Sequence, residues 1–518
     1  MTHLTASPAW INLKKHYEML LPIPLKKLFL ESNNRFELFS LDAAGLCLDY
    51  SKNSVTTETL DLFEALANDR NLTNAVDALF SGKIVNYSEQ RSALHTALRM
   101  PPQKRRSDVQ QELEKIKHYA DLLAQKKLMG FTEKPIDTIL HVGVGGSGLG
   151  PTLYYQALPQ SEKKATCHFL NAFDGAAIQS TLAACNPETT IAVIVSKSFT
   201  TEETMMVFET IQAWLMNAIG DSQKMQQHLF AVTEKTAVAA AHGFLPHHIL
   251  KIEEWVGGRY SIWSAVNFAC ILALGYDNFE CFLAGAHAMD QHFQQAPLKK
   301  NMPMLMAFLQ ISYNHFFHAQ SKAVVPYTPR LNQLPLYLQQ LHMESLGKNV
   351  DVSGEQINYP TGYVIWGDAG PNGQHSFHQL LMQGTQCIPI DFILPLRDEQ
   401  TNEYDIKRAA YCLSQSETLL QGFDEGNAFQ KIAGNRPSTT ILMDQLTPET
   451  LGALLALYEH VVFVSSVIWN INAFDQWGVE RGKQVAKKLV HCINEKKYDR
   501  QFDHSTQGLL KRVMQRLA

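Results

Sequence analysis

The chain has 518 residues, 45% hydrophobic and 18% charged, which is too long for one small core and ordinary for a globular protein of two or three domains. A formal net charge of −5 leaves no electrostatic footprint for nucleic acid, so the expected partners are small molecules or further copies of the chain. The eight cysteines (Cys47, Cys167, Cys185, Cys270, Cys281, Cys387, Cys412 and Cys492) form no C-x-x-C pair and the histidines no H-E-x-x-H set, which argues for reduced thiols in a cytoplasmic protein and requires no metal.

The stretch from Met1 to Pro8 lacks the basic-then-apolar order of a signal peptide. Residues 1–125 read as a helical N-terminal segment. Leu60–Ala67 has three–four apolar spacing, and Val109–Leu128 carries one apolar face at Leu113, Ile116, Tyr119, Leu122 and Leu123. The polar clusters Asp49–Asn53 and Asn86–Arg91 mean, by themselves, only turns.

From about residue 136 short apolar runs alternate with helical segments. Ile139–Val142, Cys167–Leu170, Ile191–Val195 and Leu229–Val232 are strand-length and nearly continuous in hydrophobicity, as a parallel sheet buried on both faces requires. The rhythm returns at Ala323–Tyr327, Tyr363–Trp366, Cys387–Phe392 and Thr440–Met443. The fold class is therefore α/β, with central, mostly parallel sheets: a first, smaller domain over 126–290 and a second, larger one over 291–518. The apolar region Leu451–Phe474 is broken by Glu459, His460 and Asn470, so no membrane span is expected.

In such sheets ligands bind beyond the carboxyl ends of the strands. Gly143–Pro151 follows a strand and satisfies G-x-G-x-x-G, a weak dinucleotide signal whose acidic partner would have to be Asp174. Its glycines let backbone N–H groups approach an anion or sugar whatever the ligand is. Ser196–Thr204 packs hydroxyls, Lys197 and a helix start together. That is either a helix cap or, the favoured reading, a phosphate site. Val256–Ser264 places Arg259 near a helix start, where the helix dipole repels it, which suits a residue that holds an anion or developing negative charge. Gln339–Lys348 reads as the start of a helix, with Gln340 and Glu344 four apart on one face. They form either a proton carrier with a positioning partner or a solvated face. Singly, His375 is a structural or surface histidine and Lys483 a solvated lysine, although Gln476 and Lys483 also share a helical face.

Val256–Ala265 and Asn472–Lys483 resemble the two signatures of the glucose-6-phosphate isomerase family. Asp49–Asn53, Leu94–Arg99, the glycine loop, the Ser196 loop, Gln340 with Met343–Ser345, and Asn372–His375 are similar to that family in the same order, so the resemblance runs from about residue 49 to 490. It implies two sugar-isomerase-type α/β/α sandwich domains behind a helical N-terminal segment. It also implies interconversion of glucose 6-phosphate and fructose 6-phosphate through a cis-enediol, without cofactor or metal. By that resemblance Glu344 moves the proton, His375 opens the ring with Lys483 assisting, and Arg259 stabilises the enediolate. Ser196, Lys197, Ser198 and Thr201 fall on the phosphate loop. Gly146, Ser147, Gly258, Gln340 and Gln476 are substrate contacts, and a homodimer is implied in which His375 completes the partner's site.

Several residues depart from the family pattern. Gln90 and Asn267 stand where glycine is common, Gly148 replaces aspartate, Ser198 threonine and Glu202 glutamine. Leu341-His342 replaces Gly-Asp and Leu346 replaces asparagine. Two rival readings are an oxidoreductase using the Gly143 loop and a non-catalytic sugar-phosphate-binding regulator.

Overall fold

The computed structural model describes residues 3–159, 163–171, 173–398, 402–497, 499 and 501–517. Residues 1–473 form one compact unit and 474–518 another.

The first unit is built on two sheets. Among the described residues eleven strands run in chain order: β1 Ser40–Ala43, β2 Leu46–Asp49, β3 Thr138–Val142, β4 Thr166–Leu170, β5 Thr190–Val195, β6 Leu229–Thr233, β7 Ile249–Lys251, β8 Ser321–Pro326, β9 Val364–Trp366, β10 Ile390–Arg397 and β11 Ser438–Gln445. The five-stranded sheet has the order β4-β3-β5-β6-β7 and is parallel throughout. All six residues of β5 are buried, as the continuous apolar run requires. Helices such as Gly146–Ala157 and Glu202–Ile219 follow the strands; Phe208, Ile211 and Leu215 of the latter join the core against Ala192 and Ile194.

The six-stranded sheet has the order β1-β2-β11-β10-β8-β9. Its four strands β8–β11 are parallel, and the hairpin β1–β2 adds to β11 antiparallel, with Leu48 opposite Ile441. The N-terminal segment is thus helical apart from this hairpin, which it contributes to the larger sheet. The Asp49–Asn53 turn ties the hairpin down. Asn53 Nδ2 donates to Tyr50 O, Ser438 O and Thr439 Oγ1, while the buried Arg35 donates to Ser51 O, Asn53 O and Val55 O.

The helix Pro448–Ile468 is long and apolar enough to cross a membrane, but 94% of its apolar window is buried inside the protein. It crosses the helix Tyr276–Gln295 with the two backbones in contact. A methyl on Gly285 would lie 1.9 Å from Glu449 O, and one on Gly452 2.0 Å from Phe282 O, so only glycine permits this approach. The second unit consists of the helices Trp477–Asn494 and His504–Leu517, joined by a small core of Cys492, Leu510 and Met514. The eight cysteines are free thiols.

Candidate active site

In both sheets the chain reverses its winding direction once. In the smaller sheet β3 is flanked by β4 on one side and β5 on the other, so the loops after β3 and β5 part to opposite faces and leave a crevice. Those loops are the glycine loop and the Ser196 loop. In the larger sheet β8 lies between β9 and β10, and the chain leaving β8 leads through the helix Leu334–Leu338 into Gln339–Glu344.

Gln339–Glu344 is a π-helical turn and not the α-helical start its sequence predicts. Periodicity cannot distinguish the two, because the wider i→i+5 turn keeps apolar positions on one side as an α-turn does. Leu341, His342, Ser345 and Leu346 are buried, while Gln340 and Glu344 stay half-buried on the opposite strip.

Arg259 joins this turn to the smaller sheet. It lies in the 3-10 turn Gly258–Trp263 and is 3% exposed. Its Nη1 stands 3.3 Å from Glu344 Oε2, its Nε donates to Ser345 Oγ at 2.6 Å, and its Nη2 donates to Ala473 O. Tyr260 Oη is 3.0 Å from the same Ser345 hydroxyl, and the Tyr260 ring stacks on His95 at 4.7 Å. The glycine loop closes the ring of contacts: a methyl on Gly146 would sit 2.2 Å from Gly258 O, and one on Gly145 (φ +56°) 3.3 Å from Gln340 Nε2. The structure therefore brings Gly146, Gly258, Arg259, Gln340 and Glu344 together.

Ser147 is fixed from beneath. The buried His141 donates from Nε2 to Ser147 O at 2.7 Å. Burial lowers the pKa of this imidazole to about 4, partly opposed by that bond, so the ring is neutral near pH 7.

In the Ser196 loop the hydroxyls serve the loop and not the helix. Ser196 Oγ pairs with Thr201 Oγ1 at 2.9 Å and accepts from Phe199 N, and Thr200 Oγ1 donates to Ser198 Oγ. Thr201, which precedes the 18-residue helix Glu202–Ile219, makes no side-chain cap bond. The first-turn N–H groups therefore have no side-chain acceptor from the cap residue at the positive end of the helix dipole. Glu202 is exposed. Lys197 lies over the neighbouring loops: its Nζ donates to Glu254 O and Val256 O, each at 2.8 Å, and stands 3.6 Å from Glu234 Oε2. Burial and the nearby Arg91 pull its pKa below the ordinary lysine value, partly offset by Glu234 and Glu89.

His375 follows the short helix Gly370–Gln374 and is exposed. In the second unit Gln476 is the N-cap residue of Trp477–Asn494, and Lys483, on that helix, pairs with Glu480 at 2.8 Å. Asp174, the carboxylate a dinucleotide site would need, caps the helix Gly175–Ala183 by accepting from Ala177 N.

A family model described as phosphoglucose isomerase matches residues 49–510. The chain belongs to the phosphoglucose isomerase family. It is 43% identical to the glucose-6-phosphate isomerase of Coxiella burnetii, across 99% of this chain and 98% of that one. It is 40% identical to glucose-6-phosphate isomerase 2 of Chromobacterium violaceum, over the same shares. The crystal structure of a glucose-6-phosphate isomerase from Chlamydia trachomatis superposes with a TM-score of 0.88, at 29% identity and full coverage of both chains.

Some of the residues noted as departing from the family pattern have local physical reasons, but Gln90 does not: it adopts φ +52°, the left-handed region that favours glycine. At Gly148 any Cβ would lie 2.4 Å from Gly143 O, so this loop follows a path closed to aspartate. Asn267 donates to Ile262 O and closes the 3-10 turn of Arg259. Leu341 and Leu346 are core residues. His342 is 1% exposed beside Tyr458, at 6.0 Å between ring centroids, and burial lowers its pKa to about 3.

The residues that sequence reading missed lie behind Arg259. The buried Arg99 donates from Nε and Nη2 to Asp290 and from Nη1 to Glu459, while Trp263 Nε1 donates to Glu459 Oε1 at 2.7 Å. Trp263 ends the turn that Gly258 begins, so Glu459 anchors the turn from within the core and Arg99 ties Glu459 to Asp290. The available signal was Arg99 itself, quoted in the Leu94–Arg99 motif: a buried arginine needs compensating acceptors.

Proposed function

We propose that Glu344 is the proton carrier and Arg259 the electrostatic partner of an aldose–ketose isomerisation. The reaction, interconversion of D-glucose 6-phosphate and D-fructose 6-phosphate, comes with membership of the family. The observation that carries the assignment is the 3.3 Å approach of Arg259 Nη1 to Glu344 Oε2, beside the glycine loop and Gln340. Proton transfer next to a carbonyl needs a positioned carboxylate, worth about 10²–10⁴-fold. The developing enediolate needs a preorganised donor, worth roughly 3–4 kcal/mol. Arg259, held on three acceptors, is preorganised in that sense.

In this reading Ser196, Ser198, Thr201 and the backbone of Lys197 receive the phosphate, and Gly146, Ser147, Gly258, Gln340 and Gln476 contact the sugar. Ring opening falls to the partner's His375 with Lys483 assisting, in a cytoplasmic homodimer acting in glycolysis and gluconeogenesis. The exposure of His375, which leaves its ring open to another copy of the chain, is compatible with that dimer. The two halves are taken as sugar-isomerase-type domains, with boundaries near residues 125 and 290.

Wild type and Glu344→Gln are incubated with fructose 6-phosphate in deuterated water. Wild type is expected to form glucose 6-phosphate carrying deuterium at C2, and the variant to lose turnover by about 10²–10⁴-fold while still binding the sugar. A wild type that binds without turnover would instead support the regulator reading.

A further inference from the structure

We infer that Lys197 is a positioning residue: its ammonium couples the phosphate loop to the segment that feeds Arg259, and is not itself a phosphate ligand. The inference rests on the reading of Ser196–Thr201 as the phosphate site.

Lys197 is fastened at both ends. Its backbone carbonyl accepts from Glu234 N at 3.1 Å and from Thr233 Oγ1 at 3.0 Å, locking it to the loop after β6. Its ammonium donates to Glu254 O and Val256 O at 2.8 Å each and is ion-paired with Glu234 Oε2 at 3.6 Å. The side chain is therefore directed along the row of strand ends β5, β6 and β7, towards the loop after β7. Gly257, Gly258 and Arg259 follow Val256 directly.

The other ties to that segment come from elsewhere. Glu254 O also accepts from Arg91 Nη1 at 3.0 Å, and Trp255 O accepts from Leu94 N at 3.2 Å. Of the residues binding these three carbonyls, Lys197 comes from the phosphate loop and the other two from the N-terminal segment. Val256 O lies three residues from Arg259, whose guanidinium meets Glu344. An anion that orders Ser196–Thr201 thus orders Lys197, and through it the backbone that sets Arg259 against the base. The role differs from charge neutralisation: remote binding energy of the phosphate is passed to the reacting centre.

The test uses inorganic phosphate as the probe, with wild type, Lys197→Met and Lys197→Arg. Backbone hydrogen–deuterium exchange is followed in the peptides around residues 196–204 and 252–260, alongside steady-state kinetics with fructose 6-phosphate. In wild type, phosphate is expected to slow exchange in both segments. In Lys197→Met it should slow only 196–204, with kcat down about tenfold and phosphate affinity within about threefold. Lys197→Arg, which keeps charge but not a compact ammonium, should fall between, and gives the same readout should the methionine variant not fold. The inference is overturned if 252–260 stays protected in Lys197→Met, if wild type never protects it, or if phosphate affinity falls about tenfold with kcat unchanged. A wild type whose 196–204 segment ignores phosphate would instead sink the phosphate-loop reading.

Discussion

Replacing Gly146 by alanine tests whether the glycine loop sets the position of Arg259. The added methyl would stand 2.2 Å from Gly258 O, 2.3 Å from Gly258 C and 2.9 Å from Arg259 N. All three are backbone atoms, so no side-chain rotation relieves the clash. The carbonyl must retreat by about 1.2 Å, from 2.2 Å to the 3.4 Å at which ordinary contact begins. Overpacking of this kind costs about 1–3 kcal/mol of stability. The functional cost is larger, because Arg259 follows Gly258 directly and a misplacement of about 1 Å costs on the order of 10²-fold in rate. Gly146→Ala should therefore lower kcat for fructose 6-phosphate about 100-fold while melting only several degrees below wild type. Gly258→Ala is the contrast: an added methyl there meets nothing within 4 Å, so its effect should appear in KM. Gly175→Ala, equally open and at the start of a different helix, is the control. Coupled turnover assays and thermal melts read all three. A Gly146→Ala enzyme with kcat within about threefold of wild type would refute the claim that the Gly146–Gly258 approach sets Arg259.

Two further outcomes are expected. Ser345→Ala removes the acceptor of Arg259 Nε at 2.6 Å and a partner of Tyr260 Oη, leaving a buried charged donor short of one bond at a cost of about 1.5–3 kcal/mol. Steady-state kinetics should show kcat lower by on the order of 10- to 100-fold, and an unchanged kcat would show that Arg259 does not need this anchor. His141, depressed to about 4 when folded and ordinary when unfolded, contributes stability that is complete above pH 6.5. That contribution is lost as pH falls from 6.5 towards 4, because the unfolded chain takes the proton first, at about 1.4 kcal/mol per pH unit. His141→Asn, which keeps a donor for Ser147 O but does not titrate, should recover about 2 kcal/mol of the loss between pH 7 and pH 5 in urea unfolding. An identical pH slope in both proteins would exclude His141 as a source of acid lability.

The parallel strands were legible because a strand buried on both faces writes itself as an unbroken apolar run, as in Ile191–Val195. The hairpin β1–β2 was not. Each strand has four residues, Asp42 and Asp49 interrupt the pattern, and its place is decided by pairing with β11 almost 400 residues away. The three residues of β7 were too short to register. At the site, Glu344 and Arg259 were legible through motifs, but their supports were not. Arg99 finds Asp290 and Glu459 at sequence separations of 191 and 360, and no local pattern reports such partners. The π-turn was hidden for a different reason, since burial alternates there as it would in an α-helix. The G-x-G-x-x-G signal belongs here to a phosphoglucose isomerase chain, in which Asp174, correct in type, caps a helix.

Under the proposed roles, base and arginine come from different sheets. Each sheet reverses its winding once and so offers one crevice. The crevice of the smaller sheet is lined by backbone N–H groups and hydroxyls, which suit a fixed anion; the loop leaving β8 in the larger sheet supplies a carboxylate on a turn with buried apolar backing. In the proposed reading, a phosphate bound beside a carboxylate base is electrostatically awkward, because two negative groups raise the cost of forming a third on the enediolate. In that reading Arg259 meets the difficulty from the boundary, with acceptors drawn from Glu344, Ser345 and Ala473 while its backbone belongs to the chain leaving β7. A guanidinium is suited to the position: its planar fork reaches several acceptors at once and stays charged when buried, whereas an ammonium there would lose its charge more readily. Base and donor are thereby set by one contact, and a change that moves either should be felt by both.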